Sequence, residues 1–346
     1  MPVIRVLIVD DSALVRRVLR EMLDRESDIT VVGHAPDPYI AREKIVELNP
    51  DVVTLDIEMP RMDGLTFLAA LMEHRPIPVV VISSLTARGS DIAMRALELG
   101  AVEVLSKPGS QFSVEELGPR LGQAIRAAAT ARMRRHTAPA GAAPGKLPIS
   151  SLLGHTTDKV LAIGGSTGGT EAIGEIMRRL PGDTPGTIIV QHMPPLFTTS
   201  FAKRLDSLSA MRVVEARGGE DLLPGMAFVA PGGSHVVVQR SGAKFRLRLD
   251  QRPQVHFQRP AVDITFASVA EAAGASAVGV LLTGMGVDGA AGLLAMRRAG
   301  AHTLVQDEAT SVVYGMPRAA VECGAAVEVL GLERIAGRVS QLFARG

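Results

Sequence analysis

Short apolar runs, each followed by a stretch with helical spacing, recur along this chain and stop abruptly on carboxylates, hydroxyls or glycines. Runs of this length are too short for buried helices and suit strands covered on both faces, so the pattern points to parallel α/β sheets. In the first part of the chain strands are expected over residues 3–9, 30–33, 52–55, 78–83 and 102–106, with helices over 14–23, 39–48, 65–72, 91–99 and 114–129. This alternation makes a doubly wound five-stranded parallel sheet, in which ligands bind just beyond the carboxyl ends of the strands. The first strand runs into Asp10 and Asp11, the third into Asp56, the fourth into Ser83 and Ser84, and the fifth into Lys107 and Pro108.

Three carboxylates converging on one edge repel one another and need a cation. An all-oxygen set of this kind suits Mg²⁺ with several waters retained. Taken singly, Asp11 could cap the first helix in competition with Ser12, and Asp10 could be solvated. Taken with Asp56 and Lys107, they form a constellation for phosphoryl transfer to an aspartate. Lys107 supplies a point charge for a phosphoryl oxygen, and the Ser83 hydroxyl supplies a hydrogen bond.

Residues 1–125 resemble the receiver domain of two-component response regulators, a flavodoxin-like fold. The resemblance is carried by Asp10, Asp11, Thr54-Leu-Asp56-Ile-Glu-Met-Pro60, Met62-Asp-Gly64, Ser83 and Lys107-Pro108. It implies that Asp56 is the phosphoacceptor, that Asp10, Asp11, Asp56 and the backbone carbonyl of Glu58 bind Mg²⁺, and that Ser83 and Lys107 contact the phosphoryl group. Many receivers carry Tyr or Phe on the fifth strand as a rotating switch, where this chain has Val104. The switch is therefore expected to rely on Ser83 and packing.

A chain of 346 residues exceeds one typical domain, and a hydrophobic share of 47% is ample for two cores. Residues 130–152 hold Arg132, Arg134 and Arg135, read as a solvated helix end, and then a run of Pro, Gly and Ala over 138–145 that cannot bury a core. The expected organisation is a first domain over 1–129, a linker over 130–152 and a second domain over 153–346. A net charge of +1 argues against a dedicated nucleic-acid or membrane-surface binder. The single cysteine, Cys323, excludes an intramolecular disulfide framework, fits a reducing cytoplasm and reads as a buried small thiol. With no run of about 18 apolar residues and no signal-peptide pattern, a soluble cytoplasmic protein is expected, without membrane insertion.

The second domain opens on an apolar strand, residues 160–163, that stops at a glycine cluster with Ser166 at its centre, ahead of a helix over 170–180. A dinucleotide fingerprint needs Gly where Ser166 stands, and a phosphate-binding loop needs Lys where Thr170 stands. What matches is Gly164-x-Ser166-x-Gly168, the pattern of a strained nucleophile turn. A strand over 187–192 ends in Gln191 and His192. Four short runs, 212–215, 225–229, 236–239 and 245–249, suggest an antiparallel excursion in a mainly parallel, doubly wound sheet. After a helix over 263–272, a strand over 277–282 leads into Thr283-Gly-Met-Gly-Val-Asp288 and a helix to Arg298.

Ser166, His192 and Asp288 each lie where a strand passes into a loop, and such ends meet at one rim of a parallel sheet. Asp288 alone suits an ordinary helix N-cap, and His192 shares its candidacy with His235, His256 and His302. As a triad, His192 would take the proton of Ser166 and Asp288 would fix the imidazole, with backbone N–H groups near Thr167 or in the Gly284-Met285-Gly286 loop binding an oxyanion.

Residues 153–346 resemble the catalytic domain of chemotaxis protein-glutamate methylesterases, the CheB family. The motifs are Ile163-Gly-Gly-Ser166-Thr-Gly-Gly169, Gln191-His192-Met193-Pro194, Pro231-Gly-x-x-His235, Arg259-Pro260-x-Val-Asp263, Leu282-Thr-Gly-Met-Gly-x-Asp288-Gly289 and Tyr314-Gly-Met-Pro317. The resemblance implies Ser166 as nucleophile, His192 as base, Asp288 as orienting acid, and Thr167 and Met285 beside the reacting group. Relatives usually carry Ser where this chain has Ala261. The implied activity is hydrolysis of glutamate γ-methyl esters on methyl-accepting chemotaxis receptors, with glutamine deamidation as a second activity and no cofactor in this half. A chemotaxis sensor histidine kinase is the implied phosphodonor, and a monomer is expected. From the architecture, the receiver is expected to cover the Ser166 rim until Asp56 is phosphorylated. Two other readings stand beside this one: an esterase of the same family serving a different signalling system, and a regulator with a non-catalytic output domain.

Overall fold

The structure, a computed structural model, describes residues 3–59, 63–84, 86–107, 114–131, 146 and 158–344. The motif residues Pro60, Met62 and Pro108, the cluster Arg132, Arg134 and Arg135, and the expected linker apart from Thr130, Ala131 and Lys146 lie outside the described residues. The chain divides into two compact units, residues 1–138 and 139–346.

In the first unit, strands β1 (Ile4–Val9), β2 (Ile29–Ala35), β3 (Val52–Asp56), β4 (Val79–Ser83) and β5 (Glu103–Ser106) alternate with α1 (Ala13–Leu23), α2 (Pro38–Leu48), α3 (Gly64–His74), α4 (Ala87–Glu98) and α5 (Val114–Thr130). The sheet is parallel with order β2-β1-β3-β4-β5. Winding reverses at β1 and β3, so the ends carrying Asp10 and Asp56 flank the crevice where this topology binds ligands. Local chemistry sets the helix starts. Ser12 rather than Asp11 caps α1, its hydroxyl accepting from Val15 N–H. Asp37 and Asp63 cap α2 and α3. Thr86 accepts from Gly89 N–H and so begins α4 earlier than residue 91.

The second unit is built on β6 (Val160–Gly165), β7 (Thr187–Gln191), β8 (Arg212–Glu215), β9 (Met226–Val229), β12 (Ala277–Leu281), β13 (His302–Gln306) and β14 (Glu328–Leu330), in the order β14-β13-β12-β6-β7-β9-β8. Each neighbouring pair is parallel. The antiparallel excursion is narrower than expected, because β8 and β9 join the main sheet. Among the described strands only β10 (His235–Ser241) and β11 (Lys244–Asp250) form an antiparallel pair, against which residues 219–222 also pair. The helices are α6 (Gly169–Arg179), α7 (Phe197–Leu208), α8 (Val262–Ala273), α9 (Ala290–Arg298), α10 (Met316–Glu322) and α11 (Leu332–Ala344). Cys323, expected buried, is exposed, because α10 ends on the surface at that residue.

The buried core of this unit runs from Val160 and Ala162 of β6 through Phe228, Val236 and Phe245 to Phe266 of α8. Two glycines bring α8 close to the sheet. A Cβ on Gly164 would strike the Val262 side chain, and one on Gly289, whose φ is +88°, would lie 2.7 Å from Val262 Cγ1. Glycine at both positions seats Val262 and delivers the first turn of α8 to the end of β12.

Candidate functional site

At the edge of the first unit, Asp10 and Asp56 are fully buried and Asp11 is exposed. Lys107 Nζ donates to Asp56 Oδ2 at 2.6 Å and stands 3.5 Å from Asp10 Oδ2. Asp56 Oδ1 accepts from Glu58 N–H at 3.0 Å, and Asp10 Oδ1 accepts from Ser12 N–H at 2.8 Å. Ser83 lies at the end of β4 with its hydroxyl 3.4 Å from the carbonyl of Gly89, and Val104 is buried. Burial pushes Asp10 up to about 6, against the charge of Lys107 and with that of Asp56. Burial also raises Asp56 despite its bond to Lys107. Burial pulls Lys107 down, but Asp56 and Asp10 outweigh that and hold the ammonium above its usual range. One lysine thus leaves the acids under-compensated. Carboxylate oxygens of Asp10, Asp11 and Asp56 lie within 4.8 Å of one another, and Asp10 Oδ2 is buried without a hydrogen bond. A hard divalent cation with oxygen ligands fits this set.

In the second unit the ends of three adjacent strands are level. Register pairs Gly164 with Leu281 and Gly165 with Gln191. Pairing continues past the strands, with Ser166 N–H donating to Thr283 O and His192 N–H to Gly165 O. Ser166, His192 and the loop to Asp288 therefore emerge side by side at the winding reversal between β6 and β12, the place where this topology holds ligands. The Ser166 turn is tight. Gly169 N–H donates to Ser166 O at 2.7 Å, and Gly168 takes φ +77° before α6.

His192 Nε2 lies 2.7 Å from Asp288 Oδ2, with the two side chains 4% and 2% exposed. Asp288 also accepts from Val262 N–H at 2.7 Å and Asp263 N–H at 3.0 Å. Burial pushes the Asp288 carboxyl up, but His192 and the two N–H groups outweigh it, and Asp288 sits below its usual range as a carboxylate. The positive end of α8 acts in the same direction. An ionised Asp288 selects the proton on Nε2 and leaves Nδ1 as the acceptor of the ring. Ser166, 7% exposed, makes no hydrogen bond to His192 among the described residues. Such contacts commonly tighten only around substrate. Thr167 is buried and Met285 half-buried, each next to the Ser166 turn or on the loop before Asp288.

The structure separates the four candidate histidines. His235 is buried, with Nδ1 accepting from Ala261 N–H and Nε2 beside Pro253 O. His302 pairs with Glu328, and His256 with Asp263. Of the four, His192 is the one hydrogen-bonded to Asp288, while the exposed His256 lies within 4.8 Å of the same carboxylate without bonding it. Sequence reasoning gave no role to Gln191 or Gln306. Gln191 Nε2 donates to Ser166 O at 2.8 Å, and Gln306 Oε1 accepts from Thr283 N–H at 2.8 Å, so both brace the loops of the site. Their signal is a glutamine closing an apolar strand. Among the described residues no helix is long and apolar enough to cross a membrane.

Fold and site together define a response regulator whose output unit is an α/β hydrolytic domain. The chain belongs to the CheB methylesterase family: that family's profile matches residues 161–339, and the response regulator receiver domain profile matches residues 6–117. A protein-glutamate methylesterase/protein-glutamine glutaminase 2 of Syntrophus aciditrophicus (strain SB) is 51% identical over 99% of this chain and 100% of its own length. A protein of the same designation from Pseudomonas aeruginosa is 54% identical over 99% of this chain and 97% of its own. The crystal structure of the Thermotoga maritima CheB methylesterase catalytic domain covers 54% of this chain and 100% of that one, at 38% identity and a TM-score of 0.53.

Proposed function

We propose that this protein hydrolyses glutamate γ-methyl esters on methyl-accepting chemotaxis receptors and releases methanol, under control of phosphorylation at Asp56. The observation that carries the chemistry is the buried 2.7 Å His192–Asp288 bond beside the Ser166 turn, on three level strand ends. Ser166 Oγ attacks the ester carbonyl while His192 takes its proton, and Asp288 holds the imidazolium that forms. N–H groups at the start of α6 and in the Gly284–Gly286 loop, near Thr167 and Met285, stabilise the oxyanion. The proton on His192 passes to the leaving methoxide, giving methanol and a glutamyl-serine ester. Water, deprotonated by His192, then cleaves that ester to free glutamate and Ser166. A glutamine side chain reacts by the same route with ammonia as leaving group, which is the glutaminase activity named in the relatives.

In the receiver unit, Asp10, Asp11, Asp56 and the carbonyl of Glu58 would hold Mg²⁺. The ion, when bound, neutralises charge as Asp56 accepts a phosphoryl group from a chemotaxis sensor histidine kinase. Lys107 and Ser83 contact the phosphoryl oxygens, and residues 130–152 serve as the tether between the domains at 1–129 and 153–346. The protein works in the cytoplasm as a monomer.

The test is methanol release from methylated receptor membranes, with and without a small phosphodonor and Mg²⁺. Ser166→Ala is expected to abolish release, and Asp56→Asn to abolish only its stimulation. Equal release from wild type and Ser166→Ala overturns the catalytic assignment, and equal stimulation of wild type and Asp56→Asn overturns the switch.

A further inference from the structure

Among the described residues of the second unit, six large apolar side chains are exposed: Leu196, Phe257, Val287, Val321, Val327 and Val329. Val321 lies on α10, and Val327 and Val329 lie just before and on β14. The first three sit on three separate loops, each tied to the active centre. Leu196 follows His192 on the loop after β7, and Val287 immediately precedes Asp288. Phe257 neighbours His256, which pairs with Asp263, whose N–H in turn binds Asp288. The loop after β9 bridges those of Leu196 and Phe257, since Gly233 N–H donates to Arg259 O and a Cβ on Gly233 would lie 3.4 Å from Pro195.

The backbone at two of these positions works against its own preference. Val255 and Gln258 exchange N–H···O bonds around His256 and Phe257, whose φ angles are +52° and +60°. A two-residue turn with both central residues in the left-handed region normally takes Asn-Gly. Here it holds a bulky aromatic outward, 59% exposed. Leu196 has φ +69° and ψ −39° at the start of α7, a conformation that only glycine takes without strain, and is 41% exposed. Strain of this kind persists where surrounding structure enforces it and clusters at functional sites.

Reach identifies what covers these side chains. From the Cα of a glutamyl residue to its ester carbon is only about 4 Å, given ordinary C–C bond lengths. A polypeptide whose ester reaches Ser166 must therefore run its backbone across the loops at the rim. On a helix, the residues three and four away from the reacting one share its face and meet the same rim.

We propose that Leu196, Phe257 and Val287 form an apolar collar that binds apolar side chains one helical turn from the ester-bearing glutamate of the substrate protein; this rests on the esterase reading above. The collar sets selection of esters on a helical protein over the same bond in a small molecule. Leu196→Gly and Phe257→Gly test it, because glycine keeps the positive-φ backbone and removes only the side chain. Full-length protein is assayed for methanol release from methylated receptor membranes and from N-acetylglutamate γ-methyl ester. The ratio of the receptor kcat/KM to the small-ester kcat/KM is expected to fall at least about tenfold in the double variant, as befits loss of two apolar contacts. An unchanged ratio, whether both rates hold or both fall, overturns the collar alone. Wild-type protein that cleaves the small ester but releases no methanol from receptors overturns the substrate reading and the collar with it.

Discussion

Asp288 and Asp263 cap each other's helices. Asp288, just ahead of α9, accepts from the first two N–H groups of α8, Val262 and Asp263, while Asp263 accepts from Gly292 N–H in the first turn of α9 at 2.7 Å. Neither helix has a cap of its own, since Ala261 and Gly289 make no side-chain cap bond. The catalytic orientation of Asp288 is thus set by the same bonds that start α8. Asp263→Ala is expected to cost about 1–2 kcal/mol, the value of a lost cap. Asp288→Asn turns one acceptor oxygen into a donor facing a buried donor, so it should cost at least as much stability, and kcat should drop on the order of 10⁴-fold, as when a triad loses its orienting carboxylate. Urea unfolding with methanol release on both variants checks this. Asp288→Asn retaining a large share of wild-type kcat removes Asp288 from the mechanism.

Gly284 touches the nucleophile across the sheet edge. A Cβ there would strike Met316 Sδ and lie 2.7 Å from Ser166 Cβ, while its own N–H and C=O bind Val313, Gly315 and Met316. The Met316 thioether is flexible but fully buried, and the Ser166 contacts are at Cβ and the backbone nitrogen, so relief on that side moves the nucleophile itself. Gly284→Ala should destabilise by about 1–3 kcal/mol, the cost of an overpacked methyl. It should also lower kcat far more than it raises KM, since it displaces Ser166 rather than the rim. A change confined to KM argues that the loop binds substrate and does not position the nucleophile.

The strands and their polar ends were legible because a parallel strand is written as an apolar run with a punctuation residue, and Asp10, Asp56, Ser166 and His192 are those residues. The edge of the second sheet was not legible: β14, Glu328–Leu330, has three residues and none is fully buried, so it carries little apolar signal. Strand direction was not legible either: β8 and β9 look like hairpin strands by spacing, yet pair in parallel. In the fold, Asp288 supplies the acceptor that Ala261 lacks, and a cap delivered from 27 positions away in the chain leaves no local pattern.

His235 ties the start of α8 to the β10–β11 pair through Ala261 N–H on Nδ1 and Pro253 O on Nε2. Burial lowers its pKa below the usual histidine value, ahead of the opposing bond to Pro253. The unfolded chain then holds the extra proton over the interval just under the free histidine pKa of about 6.5, so stability rises with pH up to that value and falls below it. Urea midpoints of wild type between pH 5 and 7.5 should show that loss on acidification. His235→Gln, which cannot take up a proton there, should be less stable at pH 7.5 but flatter across the range. Equal slopes assign the acid sensitivity to another group.

Asp10 titrates in the opposite sense. Its pKa is raised to about 6 by burial against an ordinary value of 3.8, so between those values the folded receiver holds more protons than the unfolded one. Stability without metal is then greatest at the acid end of the window and falls as pH climbs through it. A divalent cation must displace that proton, so Mg²⁺ should bind more tightly at pH 7.5 than at pH 5.5, and more protons should be released per ion at the lower pH. Calorimetric titration suits this, because the chain has no tryptophan to report binding. Asp10→Asn should raise the metal-free stability at pH 7.5 and weaken Mg²⁺ binding at least about tenfold, the loss expected when an oxygen-ligated site gives up one carboxylate. Unchanged Mg²⁺ affinity in Asp10→Asn would remove Asp10 from the ion's ligands.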